Sequence, residues 1–467
     1  MLSYFKINDP YRLVGVFIII LLFRWSLFTD LPTTKPELNW LIIGEKLSQG
    51  GHMYVDVWDD VAPLSATVYW ILNELFGRTN TPYYVISILL VFIQAFVFNN
   101  ILLTHRAYNE SSYLPALIYA ILMSLVYDFY TLSPVLMSLT FTLMAINNVL
   151  VQVVERSKNQ LVLRTGLYFG IAFLFYYPSF LFVIATSIAF LLFTGTRPRG
   201  YLLLIYGFLL PFIFTWIYFY LLGAIKPFYI NYLFSSFFIV EKGLVNFGTI
   251  IGSVAVPMFF LVIALVKTFQ TTRFTNHQVR FQQIFFTMMI LSAFSWLFIS
   301  RRAPFQWIIF VPGIAFFLNH YFLQIRKRWK AEVIFTTFLV AVVYINVSVF
   351  LKSNSLKNII NYESLLLQET PWDNMVDSKK VLFIGNNLDV YKNAKLATPY
   401  LNWDLAAMQL SKPNYYDNIT AIFRNFQKDA PQVIIDDQGI MENLFEKMPT
   451  IKSKYRKVGS GNVYQLK

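Results

Sequence analysis

Apolar runs of about 20 residues recur along most of this chain, and each is long enough to cross a bilayer core of roughly 30 Å. They fall at 12–29, 83–104, 112–128, 133–153, 163–178, 179–194, 201–222, 249–268, 282–300, 305–323 and 332–351. Only 13% of the 467 residues are charged, against about a quarter in soluble proteins. That composition argues against an ordinary cytosolic enzyme and for an α-helical polytopic membrane protein. A net charge of +13 does not point to nucleic acid, because the cations sit in short loops between the apolar runs. The first run, Val14 to Leu27, is broken only by Arg24 and lacks a small-residue cleavage site, so it reads as a signal anchor. The absence of Cys excludes disulfides, thiolate metal sites and Cys nucleophiles, and the four His are scattered without ligand spacing.

Charge placement orients the chain. Lys6 and Arg12, Arg106, Arg156 to Arg164, Arg197 and Arg199, Lys267 to Arg280, and Arg326 to Lys330 all fall on one side if Pro63 to Phe76 is not a crossing. At 14 residues that stretch is short for a span and suits an interfacial or re-entrant helix. The positive-inside rule then selects about eleven spans with the N-terminus inside. Residues 30–82, 223–248 and everything after about 352 lie outside. A patternless linker, 352–378, leads to a segment of different character. There Val381 to Gly385 and Val433 to Ile435 read as buried strands, Ile419 to Lys428 and Met441 to Met448 as helices, and Tyr455 to Leu466 as a hairpin. Residues 1–351 are thus expected to form the membrane domain and 379–467 a small α/β domain.

The first outer loop carries the chemistry-bearing residues. Asp30, Glu37, Asp56, Asp59 and Asp60 flank a helix-like piece around Leu41 to Leu47, and they are interleaved with Tyr54, Trp58 and Pro63. A solvated acidic loop is the plain reading. The aromatic interleaving and the apolar helix that follows favour acids held at the bilayer surface, with Tyr54 and Trp58 able to stack on a sugar. At the other end of the membrane region, Arg301-Arg302 breaks the charge asymmetry by lying at the outer end of a span. Two readings stay open there: snorkelling to headgroups or a bidentate clamp on a phosphate. Lys242, beside Glu241, is a weaker cation of the same kind. No Walker loop, G-x-S-x-G elbow or H-E-x-x-H is present.

The run Gly50-x-x-x-Tyr54-x-Asp56-x-x-Asp59-x-x-x-Pro63-Leu64, with Glu37 upstream and Phe76-Gly77 downstream, resembles the GT-C superfamily. These are integral-membrane glycosyltransferases using polyprenyl-phosphate sugars, including the protein mannosyltransferases and the aminoarabinose transferases of lipid A. The resemblance implies an inverting transferase on the outer face of a bacterial-type inner membrane, with the C-terminal domain periplasmic. Its partners would be a polyprenyl-phosphate-linked donor, membrane lipids and a glycan, lipid or protein acceptor, with other envelope proteins possible partners. No cofactor is implied beyond an optional divalent metal. Glu37 and Asp59 are then the candidate catalytic acids, sharing one cavity, with Asp56 and Asp60 accessory. Arg301, Arg302 and Lys242 would bind the donor phosphate. Two departures mark this chain: Pro36-Glu37 stands where the family has paired acids, and Ala62-Pro63 where it has two prolines. A transporter or a non-catalytic scaffold subunit are the alternatives. A transporter predicts mid-span acids, which are few here, and a scaffold would tolerate loss of the carboxylates.

Overall fold

The computed structural model describes residues 1–28, 31–154, 159–235, 243–270, 274–299, 302–350, 360–458 and 461–467. Among them, eight helices are long and apolar enough to span a membrane, from Thr81–Thr104 to Arg328–Val349. The other three expected spans coincide with shorter helices: Arg12–Phe23, Leu114–Leu122 and Asn159–Phe175. The first of them ends for a visible reason. Arg24 stops the first, turning its guanidinium into a buried nest of acceptors: Ser87 Oγ at 2.9 Å, Met123 O at 3.0 Å and Tyr130 O at 3.3 Å. A cation inside an apolar bundle needs such partners, because desolvation would otherwise expel it.

The residues group into two compact units. The first comprises Met1–Leu31, Thr81–Thr215 and Lys242–Ser364. A close seam joins helix Asn159–Phe175 to helix Pro198–Leu221, where small residues let the backbones touch. A Cβ added at Gly166 would sit 2.2 Å from Leu204 O, one at Gly170 2.4 Å from Phe208 O, and one at Gly207 2.3 Å from Leu163 O.

The second unit comprises Pro32–Asn80, Trp216–Glu241 and Leu365–Lys467. Its first segment is a helical hairpin, α1 (Lys35–Ser48) and α2 (Pro63–Phe76). Gly44 brings α1 so close to α2 that a Cβ there would meet Tyr69 O at 2.6 Å, and Trp40 stacks on Tyr69 with centroids 5.6 Å apart. The outward face of α2 leaves Trp70, Ile71, Leu75 and Phe76 exposed, as an interfacial helix would. Its third segment carries a five-stranded sheet, ordered β2-β1-β3-β5-β4. The strands are β1 (Lys380–Ile384), β2 (Lys395–Leu396), β3 (Val433–Asp436), β4 (Tyr455–Lys457) and β5 (Val463–Leu466). β1 runs parallel to β2 and β3, while β5 is antiparallel to β3 and β4. Both faces of β1 and β3 are buried, which is why they read as unbroken apolar runs. One face packs Leu382, Ile384 and Ile434 against α3 (Trp403–Leu410), α4 (Tyr416–Lys428) and α5 (Met441–Lys447).

Chain segments far apart in sequence complete this unit. Thr34 pairs with Leu366 in an antiparallel bridge, with Lys35 N donating to Leu365 O at 2.9 Å and Leu367 N to Thr33 O at 3.3 Å. The middle of the expected linker is therefore held by main-chain hydrogen bonds to the start of the first loop. Residues 352–359, its beginning, lie outside the described residues.

Candidate active site

Thr34 and Glu37 form a capping box at the start of α1. Glu37 N donates to Thr34 Oγ1 at 3.4 Å, and Thr34 N donates to Glu37 Oε2 at 2.8 Å. This satisfies two of the helix's orphan donors and sets a carboxylate where the helix dipole favours it. The Thr-x-x-Glu spacing signals such a box in the sequence, so Glu37 has a structural role beside any chemical one. Glu37 is 4% exposed.

Asp59 is fully buried. Its Oδ1 accepts from Val61 N at 3.0 Å, a local turn ahead of α2, and its Oδ2 accepts from Asn39 Nδ2 at 3.2 Å. Asn39 lies two residues beyond Glu37 on α1, so one helix turn carries the first acid and the ligand of the second. Asn39 was missed by sequence reasoning, because a lone amide in an apolar helix carries no motif. Its Oδ1 is buried with no hydrogen-bond partner, an acceptor left over beside a carboxylate. Asp60, the next residue, is half-buried.

The remaining loop residues have different posts. Asp56 Oδ1 accepts from Lys428 Nζ at 2.5 Å, and its Oδ2 from His52 N at 3.0 Å. That carboxylate ties the loop to α4. Lys46 on α1 pairs with Asp429, which also binds Lys380 Nζ at 2.7 Å. Burial works to raise the pKa of Asp429, but hydrogen bonds from Lys380 and Lys46 outweigh it and hold the carboxyl below its usual range. Tyr54 was expected to stack on a sugar, but it is fully buried among Phe219, Phe228 and Tyr232, 5.4–5.9 Å away by ring centroid. Its hydroxyl donates to Val61 O at 2.7 Å, and burial raises its pKa well above the usual value. Trp58, the other expected stacking ring, packs edge-on against Tyr400 at 5.2 Å and covers the sheet's core. Its backbone pairs with Pro399 O at 2.8 Å and Asn402 N at 3.1 Å. Both rings have packing roles that hold the acid-bearing loop in shape.

Of the candidate phosphate-binding cations, Arg301 and Lys242 lie outside the described residues, as does Asp30 among the loop acids. Arg302, in the first unit, is half-buried. It points Nη2 at Trp296 O at 3.5 Å and leaves Nε buried without a partner. Among the described residues, no group of three His, Asp or Glu side chains comes together as a metal site.

The family described as dolichyl-phosphate-mannose-protein mannosyltransferase matches residues 60–220, a stretch that starts at Asp60 and takes in Pro63, Leu64 and Gly77. No curated protein matches the chain in sequence. Among solved structures, ArnT from Cupriavidus metallidurans bound to undecaprenyl phosphate shares the fold over 98% of this chain and 98% of its own, at 11% identity and TM-score 0.56. The oligosaccharyltransferase AglB from Archaeoglobus fulgidus, in complex with an inhibitory peptide and a dolichol-phosphate, covers 98% of this chain and 74% of its own, at 10% identity and TM-score 0.47. The family model thus matches about a third of the chain, and the fold is shared with ArnT from end to end.

Proposed function

We propose that the protein transfers a sugar from a polyprenyl-phosphate donor to an envelope acceptor. The observation that carries this reading is the pairing, on the first turns of α1, of buried Glu37 with the amide that holds buried Asp59. Glu37 takes the proton of the acceptor hydroxyl as its oxygen bonds to the anomeric carbon. The bond from that carbon to the phosphate oxygen breaks, and polyprenyl phosphate leaves with the electron pair. Single displacement inverts the anomeric centre. Asp59 adds negative charge beside the oxocarbenium-like carbon, with Asp60 accessory. The test is direct. Purified protein given polyprenyl-phosphate-linked sugars and an envelope extract is expected to release polyprenyl phosphate with sugar appearing on one acceptor, whether or not a chelator is present. No turnover with any donor would sink the proposal and favour the scaffold reading.

We place the chain in a bacterial-type inner membrane, with the N-terminus cytoplasmic and the second unit periplasmic. Residues 32–80, 216–241 and 365–467 share one compact unit, so even numbers of crossings must separate them. The expected spans supply six before the second segment and four before the third, as required, and charge placement selects the outer face for all three. The chain has no native Cys, so single cysteines report cleanly. A membrane-impermeant maleimide added outside is expected to label Gln49→Cys and Ser411→Cys and to spare Lys327→Cys. Labelling of Lys327→Cys, or protection of either of the others, would overturn the orientation.

A further inference from the structure

The unit that carries Glu37 and Asp59 has a cleft of about 490 Å³ alongside α1. Ligand pockets run from roughly 300 to 1,000 Å³, so a short glycan fits. Leu38 and Leu41 form part of its floor, and Arg78, Lys392 and Lys395 stand around it. Arg78 is locked in place: Nη1 donates to Glu45 Oε2 at 2.9 Å and Ala394 O at 2.8 Å, and Nη2 to Tyr391 O. That pairing neutralises Glu45, the one acid of the lining. Lys392 and Lys395 are exposed and make no ion pair with a described residue. The cleft therefore keeps two uncompensated positive charges over an apolar strip, with the amides of Asn80 and Asn393 beside them. Such a lining matches a ligand with hydroxyls, a C–H face and negative charge.

We propose that this cleft holds the acceptor, and that the acceptor is an anionic saccharide, a glycan bearing a carboxylate or phosphate. Leu38 and Leu41 lie one and four residues beyond Glu37 on α1, so the cleft floor runs from about 1.5 to about 6 Å from it along the helix axis at 1.5 Å per residue. The acceptor role rests on the reading of Glu37 as the base, whereas the binding claim can be tested apart from it.

The experiment measures binding to the full chain in nanodiscs of neutral lipid, with trigalacturonate and mannose 6-phosphate as acidic probes and maltotriose and mannose as neutral counterparts. At least one acidic probe should bind tenfold or more tighter than its counterpart, with an affinity that falls as salt rises. Lys392→Gln with Lys395→Gln should erase at least tenfold of that affinity, since each lost charge-assisted contact is worth about that much. Both lysines are exposed, so the double variant should keep its melting temperature. Equal binding of acidic and neutral probes would overturn the inference, as would an unchanged double variant. So would inorganic phosphate binding as tightly as the sugars, or phosphatidylglycerol nanodiscs abolishing binding, which would assign the charges to a bare anion or to lipid. Glu37→Gln should bind the acidic probe normally. If acidic sugars bind but no transfer occurs with any donor, the transferase reading falls and the cleft stands. If transfer proceeds to a neutral acceptor and acidic sugars do not bind, the reverse holds.

Discussion

Glu37→Gln is expected to cut sugar transfer by about 10²–10⁴-fold, the usual contribution of a positioned general base, while leaving the fold intact. The capping box is what makes this separable. Glu37 accepts from Thr34 N through Oε2, and the amide oxygen of Gln can accept from the same donor at nearly the same place. The variant therefore loses basicity and charge, and keeps the helix start. Thr34→Ala is the mirror experiment. It removes the hydroxyl that receives Glu37 N and should cost about 1 kcal/mol of stability, yet it keeps the carboxylate and should retain most transfer. The two variants swap activity and stability only if Glu37 does chemistry as well as capping. Rates and melting temperatures measured side by side decide it. A Glu37→Gln protein as active as wild type would move the base elsewhere, and Asp59→Asn would be the next variant to assay. If that also transferred normally, the enzyme reading would be wrong.

Gly166→Val should prevent the first unit from closing. The added Cβ alone would sit 2.2 Å from Leu204 O, far inside van der Waals contact, and its neighbour is backbone within a helix. Relief requires helix Pro198–Leu221 to move away, which would also part Gly170 from Phe208 and Gly207 from Leu163. Overpacking by side chains usually costs 1–3 kcal/mol; a backbone collision across a three-glycine seam should cost more than about 3 kcal/mol, a large part of typical total stability. Little monodisperse protein should be recovered in detergent, and what is recovered should melt well below wild type. Gly15→Ala is the control, because its Cβ would meet the side chains of Phe5, at 3.1 Å, and Tyr4, at 3.6 Å, and a side chain can rotate aside. Equal melting temperatures for Gly166→Val and Gly15→Ala would show that the seam is not tight.

Much of this architecture was legible because bilayer crossings and buried strands each impose a period on sequence. The eleven expected spans all coincide with helices, and Pro63–Phe76 forms as the short helix its length implied. The strands at Val381, Val433, Tyr455 and Val463 lie where apolar runs meet Gly or polar breaks. β2 escaped notice because two residues, Lys395 and Leu396, cannot show alternation. Gly166-x-x-x-Gly170 was visible as spacing, but its partner helix was not. In the candidate site, the acids were easy to find and their assignments were not. Asp56 meets Lys428 and Trp58 meets Tyr400, contacts across more than 300 residues that no local pattern encodes. Asn39 is recognisable only once Asp59 is folded against it.

The bridge between Thr34 and Leu366 and the lysine–carboxylate ties from the first loop to α4 impose an order in time. The ribosome delivers residues 32–80 about 280 residues ahead of their partners. At roughly 5–20 residues per second, that is a wait of about 15–60 s. Throughout that interval α1 and α2 stand without the sheet that braces them, and a chain stopped short of residue 365 never acquires it. Insertion into the membrane can thus be complete well before the acid-bearing loop is finished, and the protein becomes competent only with its last hundred residues.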